Sequence, residues 1–515
     1  MAIVIKYIFE YRWTKNYYFS RTRDMSILTE KRYKLFIDGQ WLDSSDNTTL
    51  RTTNPANGEF LAEIADATNE DVDRAVKAAR KAFETWSQTT TAQRADILDR
   101  IAARIEENAE FLATVETMDN GKPIRETKNV DIPLAADHFK YFAGVIRSEE
   151  GSANVLDGNK LSIVLREPIG VVGQIVPWNF PFLMAAWKLA PVIAAGDTTI
   201  LKPSSSTSLS ILELMKIIED LIPAGVINIV TGKGSRSGDY LVQHEGIDKL
   251  AFTGSTEVGR NIGIEAAKRI IPATLELGGK SANIFFDDCD IEQALDGVQL
   301  GILFNQGQVC CAGSRIFVQE GIYDEFVEKA IERFKNVKVG DPLDESTQMG
   351  AQVNVRQAEK ILGYVENGKK EGARVAVGGQ RACKTQYSGG AFVEPTLLVD
   401  VTNDMAIAQE EIFGPVGVVI KFKDADDVVR MANQSVYGLG GGVYTKNIDT
   451  ALDVARRVKT GRIWVNTYNQ IPAGAPFGGI KQSGIGRETH KMILDSYTQA
   501  KNIMIDLTGK GSGFY

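Results

Sequence analysis

Cysteine and histidine are scarce: four of one and three of the other in 515 residues. So few cysteines exclude a disulfide framework. Two of them, Cys310 and Cys311, are adjacent and make poor partners for a structural bridge, so a reducing, cytoplasmic compartment is expected. His138, His244 and His490 are far apart, and neither CxxC nor HExxH spacing occurs, so no metal site is expected. No apolar run is long enough to cross a bilayer, which argues against a membrane partner. Acidic residues outnumber basic ones, and the net charge of −8 argues against a nucleic-acid-binding surface. Internal repeats and low-complexity linkers are missing as well.

What is present is too long for one compact core, and two or three domains are expected. The first 24 residues stand apart. They are rich in aromatic and basic residues, among them Tyr7, Phe9, Trp13, Arg21 and Arg23, and Lys6 interrupts their only apolar stretch, against a signal-peptide core. They are expected to be a non-native or disordered extension, and a chain starting at Met25 is expected to fold and behave as the full chain does.

Thr68 and Asp71 form a capping-box start that predicts a helix to Trp86, and a second helix follows over Ala92 to Glu107. Short apolar runs then alternate with helical periodicity. Strands are predicted over Val171–Val176, Thr198–Lys202, Val226–Val230 and Leu250–Phe252, and helices over 183–195, 209–221 and 257–268. The pattern is that of an α/β fold with a parallel, doubly wound sheet. Ligands of such sheets sit beyond the carboxyl ends of the strands, where Trp178, Asn179, Lys202, Gly254 and Ser255 fall. A second αβ series runs from Gly279 to about Gly478, with helices near 323–336, 358–367 and 448–459. Ile503, Ile505 and Leu507 alternate as one face of a strand would, and such a strand must pair; a second subunit is the expected partner.

Two segments carry the chemistry. Phe304-Asn305-Gln306-Gly307-Gln308-Val309-Cys310-Cys311 sets a thiol just beyond a glycine and an amide side chain. Leu275-Glu276-Leu277-Gly278-Gly279-Lys280 sets a carboxylate beside two glycines, 34 residues upstream. Alone, a cysteine is ordinarily a small buried hydrophobe, and Cys289 and Cys383 are read that way. Phe252 to Gly259 reads as strand, glycine turn and helix start, whose amides favour a pyrophosphate, although the GxGxxG spacing is absent. Lys202 ends a buried strand, where a charge needs a partner.

Together with Glu410-Glu411-Ile412-Phe413-Gly414-Pro415 and the block from Asn466 to Glu488, these segments closely resemble the signatures of the NAD(P)-dependent aldehyde dehydrogenase superfamily, in its hydrolytic branch. At least five motifs occur in family order, from about Phe36 to Leu507. The resemblance implies a Rossmann-like cofactor domain over 25–148 and 168–278 and a catalytic domain over 279–478. Residues 149–167 and 479–515 would be bridging or oligomerisation segments of a homodimer or homotetramer.

By the same resemblance Cys310 is the nucleophile and Glu276 the general base. Asn179 and the Cys310 N–H form the oxyanion site, and Lys188 serves the proton network. The cofactor residues are Gly254, Ser255 and Gly259 at the phosphates and Lys202 at the adenosine ribose. Glu411 falls at the nicotinamide ribose and Phe413 at the nicotinamide, with Trp178 and Leu277 beside them. Ser205 stands where NAD-preferring members carry a ribose-binding glutamate, so NAD with measurable NADP use is expected. Phe180, Met184, Trp187, Phe304, Val309 and Phe477 imply an apolar tunnel, bordered by Cys311, Asn469 and Ile471. Oxidation of a small or medium aliphatic aldehyde is expected. Betaine aldehyde is the alternative, and it needs an aromatic and acidic environment, to which Trp187, Trp464 and Tyr468 are the candidate aromatic contributors. A coenzyme A-acylating relative would generally lack the glutamate, and a non-catalytic relative would not be expected to keep Cys310, Glu276 and Asn179 together.

Overall fold

The computed structural model describes residues 27–382 and 389–515; the expectations for residues 1–24, for a start at Met25 and for Cys383 lie outside them. The helix Asn69–Trp86 begins with the capping box seen in the sequence: Thr68 accepts from the Asp71 N–H and Asp71 from the Thr68 N–H. Its apolar stripe, Val72, Ala75, Val76 and Ala79, is buried. Thr91–Glu107 follows with its own box at Thr90 and Gln93.

Five parallel strands form the centre of an eight-stranded sheet. Across the sheet they run Ala273–Glu276, Lys249–Thr253, Val171–Ile175, Thr198–Lys202 and Ile227–Ile229. The chain therefore builds outward from Val171–Ile175 in one direction, then returns to its other side with Lys249–Thr253. The order reverses between those two strands, and a crevice opens beyond their carboxyl ends. Helix Pro181–Ala195, buried along its whole length, leaves the first strand just past that crevice. A predicted helix over 209–221 ends instead at Ile218 and tightens to a 3₁₀ turn over Glu219–Leu221.

The second large sheet has seven strands, in the order Arg374–Val377, Thr396–Val399, Val416–Phe422, Arg315–Gln319, Ala282–Phe285, Gly441–Tyr444 and Trp464–Val465. All neighbours are parallel except the first pair. Gly484–Ile485, within the stretch expected to bridge, adds to the first sheet, antiparallel to Ala273–Glu276.

The C-terminal strand has a partner within the chain at one of its two edges. Thr498–Asp506 pairs over its full length with Lys160–Pro168 of the same chain, which in turn pairs with Ser152–Asp157. Leu507 lies just past the strand. Alternating apolar residues fixed the strand type but carried no information about its partner, since either edge of a distant hairpin offers the same ladder. Among the described residues no helix is long and apolar enough to cross a membrane.

The start of the described chain is stapled to helix Leu209–Ile218 by one buried carboxylate. Glu213 accepts from the Thr29 N–H at 3.1 Å, the Thr29 hydroxyl at 2.7 Å and the Tyr33 hydroxyl. Tyr33→Phe is expected to destabilise the protein by about 1–3 kcal/mol, because a buried carboxylate loses a donor. The shift of the denaturation midpoint measures it; an unchanged midpoint would mean that Thr29 alone suffices.

Candidate active site

Cys310 is reached through a run of unusual backbone. After helix Ile291–Ile302 the chain makes a 3₁₀ turn in which Asn305, Gln306 and Gly307 have φ of 49°, 55° and 71°. The left-handed region costs a side-chain-bearing residue roughly 1–2 kcal/mol, so the turn needs holding. Gln306 Nε2 donates to the Ala351 carbonyl at 2.8 Å, and Gln308 Oε1 accepts from the Val353 N–H at 3.0 Å. Gly307 admits no side chain: a Cβ there would lie 2.2 Å from the Gly414 carbonyl.

Asn179 lies at the crevice of the first sheet, buried, two residues before helix Pro181–Ala195. One N–H of its side-chain amide donates to the Gln308 carbonyl at 2.9 Å. An amide nitrogen has two hydrogens, so one remains for a ligand. The Asn305 side chain ties the two segments together, donating to the Asn179 carbonyl at 2.9 Å and the Gln308 carbonyl at 3.0 Å.

Glu276 ends its strand fully buried, with neither carboxylate oxygen in a well-formed hydrogen bond. Burial first, and then the nearby Glu488, hold its carboxyl well above the usual range; Lys188, Arg487 and the Gly479 N–H pull the other way without prevailing. Lys188 forms a buried ion pair with Glu488, 300 residues away in sequence. The Cys310 thiol is likewise held well above its ordinary value, by its hydrogen bond to Cys311 foremost and by burial next. In both cases the surroundings favour the protonated form.

Cys310, Glu276 and Asn179 line one cavity of about 250 Å³. Trp178, Gly254, Ser255, Leu277, Glu411 and Phe413 line it too, and so do Phe180, Met184, Trp187, Phe304, Val309, Cys311, Asn469, Ile471 and Phe477. Its walls are braced by aromatic pairs: Trp178 on Phe413 at 5.1 Å, Phe180 on Phe304 at 5.9 Å and Trp187 on Phe477 at 5.4 Å between ring centres. The Cys311 thiol donates to Asn469 Oδ1 at 3.5 Å.

Four of the residues assigned a catalytic or cofactor-binding role do not line the cavity. Lys188 stands behind Glu276, in the ion pair. Lys202 donates to the Pro203 and Gly232 carbonyls at 3.1 and 2.9 Å, and burial pushes it down to about 8. Ser205 is half-buried in the turn that follows the Lys202 strand. Gly259 lies in helix Thr256–Arg269, where a Cβ would strike Leu277 Cδ2 at 2.2 Å, so the glycine lets helix and strand close together.

The aromatic set considered for a quaternary ammonium is not assembled. Of Trp187, Trp464 and Tyr468 only Trp187 lines the cavity. Trp464 donates to the Gln470 carbonyl and Tyr468 to the Cys311 carbonyl, with their rings packed at 4.7 Å. The guanidinium of Arg462 lies 5.7 Å from the Trp464 ring and 6.0 Å from that of Phe477, so a cation already occupies those faces.

Gln357 and Lys360 line the cavity and were not read from the sequence. They lie three residues apart in Val355–Lys370, a helix with an ordinary polar face, so nothing local marks them. Gln357 Nε2 donates to the Phe413 carbonyl at 2.8 Å. Burial raises Glu411 to about 7 against the Gly279 N–H, Lys360 and Lys280.

A model of the aldehyde dehydrogenase family matches residues 41–503. An aldehyde dehydrogenase of Vibrio cholerae is 52% identical over 480 residues, 92% of this chain and 94% of that one. The NAD+ complex of an aldehyde dehydrogenase from Bacillus cereus is 45% identical with a TM-score of 0.91, covering 93% of this chain and 98% of that one. A betaine aldehyde dehydrogenase of Staphylococcus aureus, solved with NAD+, is 40% identical with a TM-score of 0.93, covering 95% and 98%.

Proposed function

The chain belongs to the aldehyde dehydrogenase family, and from that premise we propose that it oxidises an aliphatic aldehyde to its carboxylic acid with NAD, using NADP less well. One observation carries the reading: an unpartnered carboxylate, Glu276, and a thiol, Cys310, share a cavity with a spare Asn179 N–H.

Cys310, once deprotonated, attacks the aldehyde carbon, since the thiolate is the nucleophilic form. The new oxyanion is met by the free Asn179 N–H and the Cys310 backbone N–H, donors that typically contribute about 3–4 kcal/mol in such sites. A nicotinamide held by Glu411 and Phe413 would supply the hydride acceptor, and loss of the hydride would leave the acyl group on Cys310 as a thioester. Glu276, as carboxylate, takes a proton from water, and the hydroxide equivalent releases the acid. Lys188 and Glu488 set the field in which Glu276 titrates.

The residues fit that cofactor. A Cβ at Gly254 would lie 2.4 Å from the Phe252 ring, so only glycine lets the turn pack against that ring, and Ser255 caps a helix whose first amides suit a pyrophosphate. Glu411 Oε1 accepts from the Gly279 N–H at 3.0 Å, which leaves Oε2 for a ribose hydroxyl. An aliphatic substrate suits walls made of Leu134, Phe180, Leu183, Met184, Ile471 and Phe477. We further propose a dimer or tetramer through the sheet of Ser152–Asp157, Lys160–Pro168 and Thr498–Asp506, which exposes Val155, Leu156, Ile503 and Met504.

The test is NAD(P)H formation, followed by absorbance, over a panel of aliphatic aldehydes and betaine aldehyde, with and without coenzyme A. Aliphatic aldehydes turning over without coenzyme A are expected; a strict coenzyme A requirement, or a preference for betaine aldehyde, would overturn the reading. Cofactor choice has its own test. Ser205→Glu restores the carboxylate that the family resemblance implies at the adenosine ribose, and is expected to depress kcat/KM for NADP far more than for NAD. An unchanged ratio would mean that another residue sets the preference.

A further inference from the structure

A second buried polar cluster touches this site without entering its chemistry. Lys122, Glu116 and Asp131 are fully buried, and Glu126 nearly so. Lys122 Nζ is 2.6 Å from Asp131 Oδ2 and 4.0 Å from the centre of the Phe180 ring. Glu126 precedes and Asp131 ends a π-helical turn, Thr127–Asp131, closed by the Ile132 N–H on the Thr127 carbonyl. Its i to i+5 hydrogen bonds bring residues five apart toward one face, and such turns gather at functional sites.

Two of the carboxylates grip the two segments that converge on the cavity. Glu126 Oε2 accepts from the Asn305 N–H at 2.9 Å, at the left-handed turn before Cys310. Glu116 accepts from the Phe182 N–H at 3.3 Å, in the first turn of the helix after Asn179, and from the Ser210 hydroxyl. Asn305 then bridges the segments through its bonds to the Asn179 and Gln308 carbonyls. Burial raises Glu116 to about 7 and Glu126 to about 8, and Lys122 is the chief group opposing it. Buried charges of this kind are weak devices for stability, where apolar packing often serves as well.

We propose that Glu126 and Asn305 are positioning residues of the oxyanion site, a clamp that holds the Asn179 amide and the Cys310 N–H at one spacing, with Lys122 as its counter-charge. This rests on the oxyanion reading given above. Neither residue lines the cavity. Their effect is through the donors alone, and a displacement of about 1 Å in such a group can cost about a hundredfold in rate.

The test uses the full-length enzyme, the best aliphatic aldehyde of the panel and rapid mixing. Glu126→Ala and Asn305→Gly are expected to slow the NADH burst by about ten- to a hundredfold, with KM for the aldehyde and the Kd of NAD unchanged. Glu126→Gln, which keeps an acceptor for the Asn305 N–H, is expected to restore most of the rate. Glycine accepts positive φ, so Asn305→Gly keeps the turn and decides the matter even if Glu126→Ala does not fold. A wild-type burst in Asn305→Gly overturns the clamp, as does a loss that appears in KM or NAD binding, or one that Glu126→Gln fails to restore. Asn179→Ala is measured alongside. If its burst is also unaffected, the oxyanion reading itself fails; if it is slowed while Asn305→Gly is not, only the clamp fails.

Discussion

Replacing Cys310 by alanine is expected to reduce aldehyde-dependent NADH formation by on the order of 10⁴-fold or more, because the other thiol lining the cavity, Cys311, is fully buried and bonded to Asn469. Cofactor binding should survive: Glu411 and Ser255 do not depend on the thiol. Cys311→Ala should behave differently. That thiol is buried and donates to Asn469, so its removal leaves a small void and keeps the nucleophile. It should also move the pH profile. The reactive form of Cys310 is the thiolate, its thiol is held high, and the hydrogen bond to Cys311 is the largest cause. Activity should therefore rise with pH, and in Cys311→Ala that rise should come at lower pH. The profile of kcat/KM reports it. An inactive Cys311→Ala beside an active Cys310→Ala would reverse the assignment.

Glu276→Gln should give one rapid turnover and then stall. Attack and hydride transfer precede hydrolysis, so a burst of NADH remains, while the steady rate falls by about 10²–10⁴-fold with loss of the base. The pH sign is the same as for Cys310. Glu276 works as a carboxylate, and burial with Glu488 nearby holds its carboxyl high, so the hydrolytic step in the unaltered enzyme should weaken as pH falls. Rapid-mixing absorbance separates burst from steady state. A variant that binds NAD normally and shows no burst would place Glu276 before the thioester.

The fold was legible where elements are long and periodic or carry a cap. The Thr68–Asp71 box and the strand Thr198–Lys202 are seen where the sequence puts them. The central site was legible for a different reason: Cys310 and Glu276 sit inside long contiguous motifs, and both line the cavity. What could not be read depends on contacts between distant segments. Nothing near Lys188 announces Glu488, and nothing in a two-residue strand such as Gly484–Ile485 has a period to detect. Gln357 and Lys360 look like any polar helix face until the Glu411 loop is laid beside them. Aromatic composition misled for a related reason, since a list of tryptophans and tyrosines does not say which way they point. Trp464 and Tyr468 turn into the core, each fastened by a backbone carbonyl.

The antiparallel strand Gly484–Ile485 and the ion pair of Lys188 with Glu488 also order events in time. A ribosome delivers the chain from its N-terminus, so Cys310 and Glu276 emerge well before the segment that closes the first sheet over Glu276. Until residues 484–488 arrive, the edge of Ala273–Glu276 is bare and Lys188 has no Glu488. Lys160–Pro168 waits longer still, for Thr498–Asp506. Exposed edges of this kind invite pairing with the wrong chain. The nascent protein thus carries its thiol and carboxylate through about a third of its synthesis without the surroundings that tune them, and a chain halted before residue 484 would hold the reactive groups but not the enzyme.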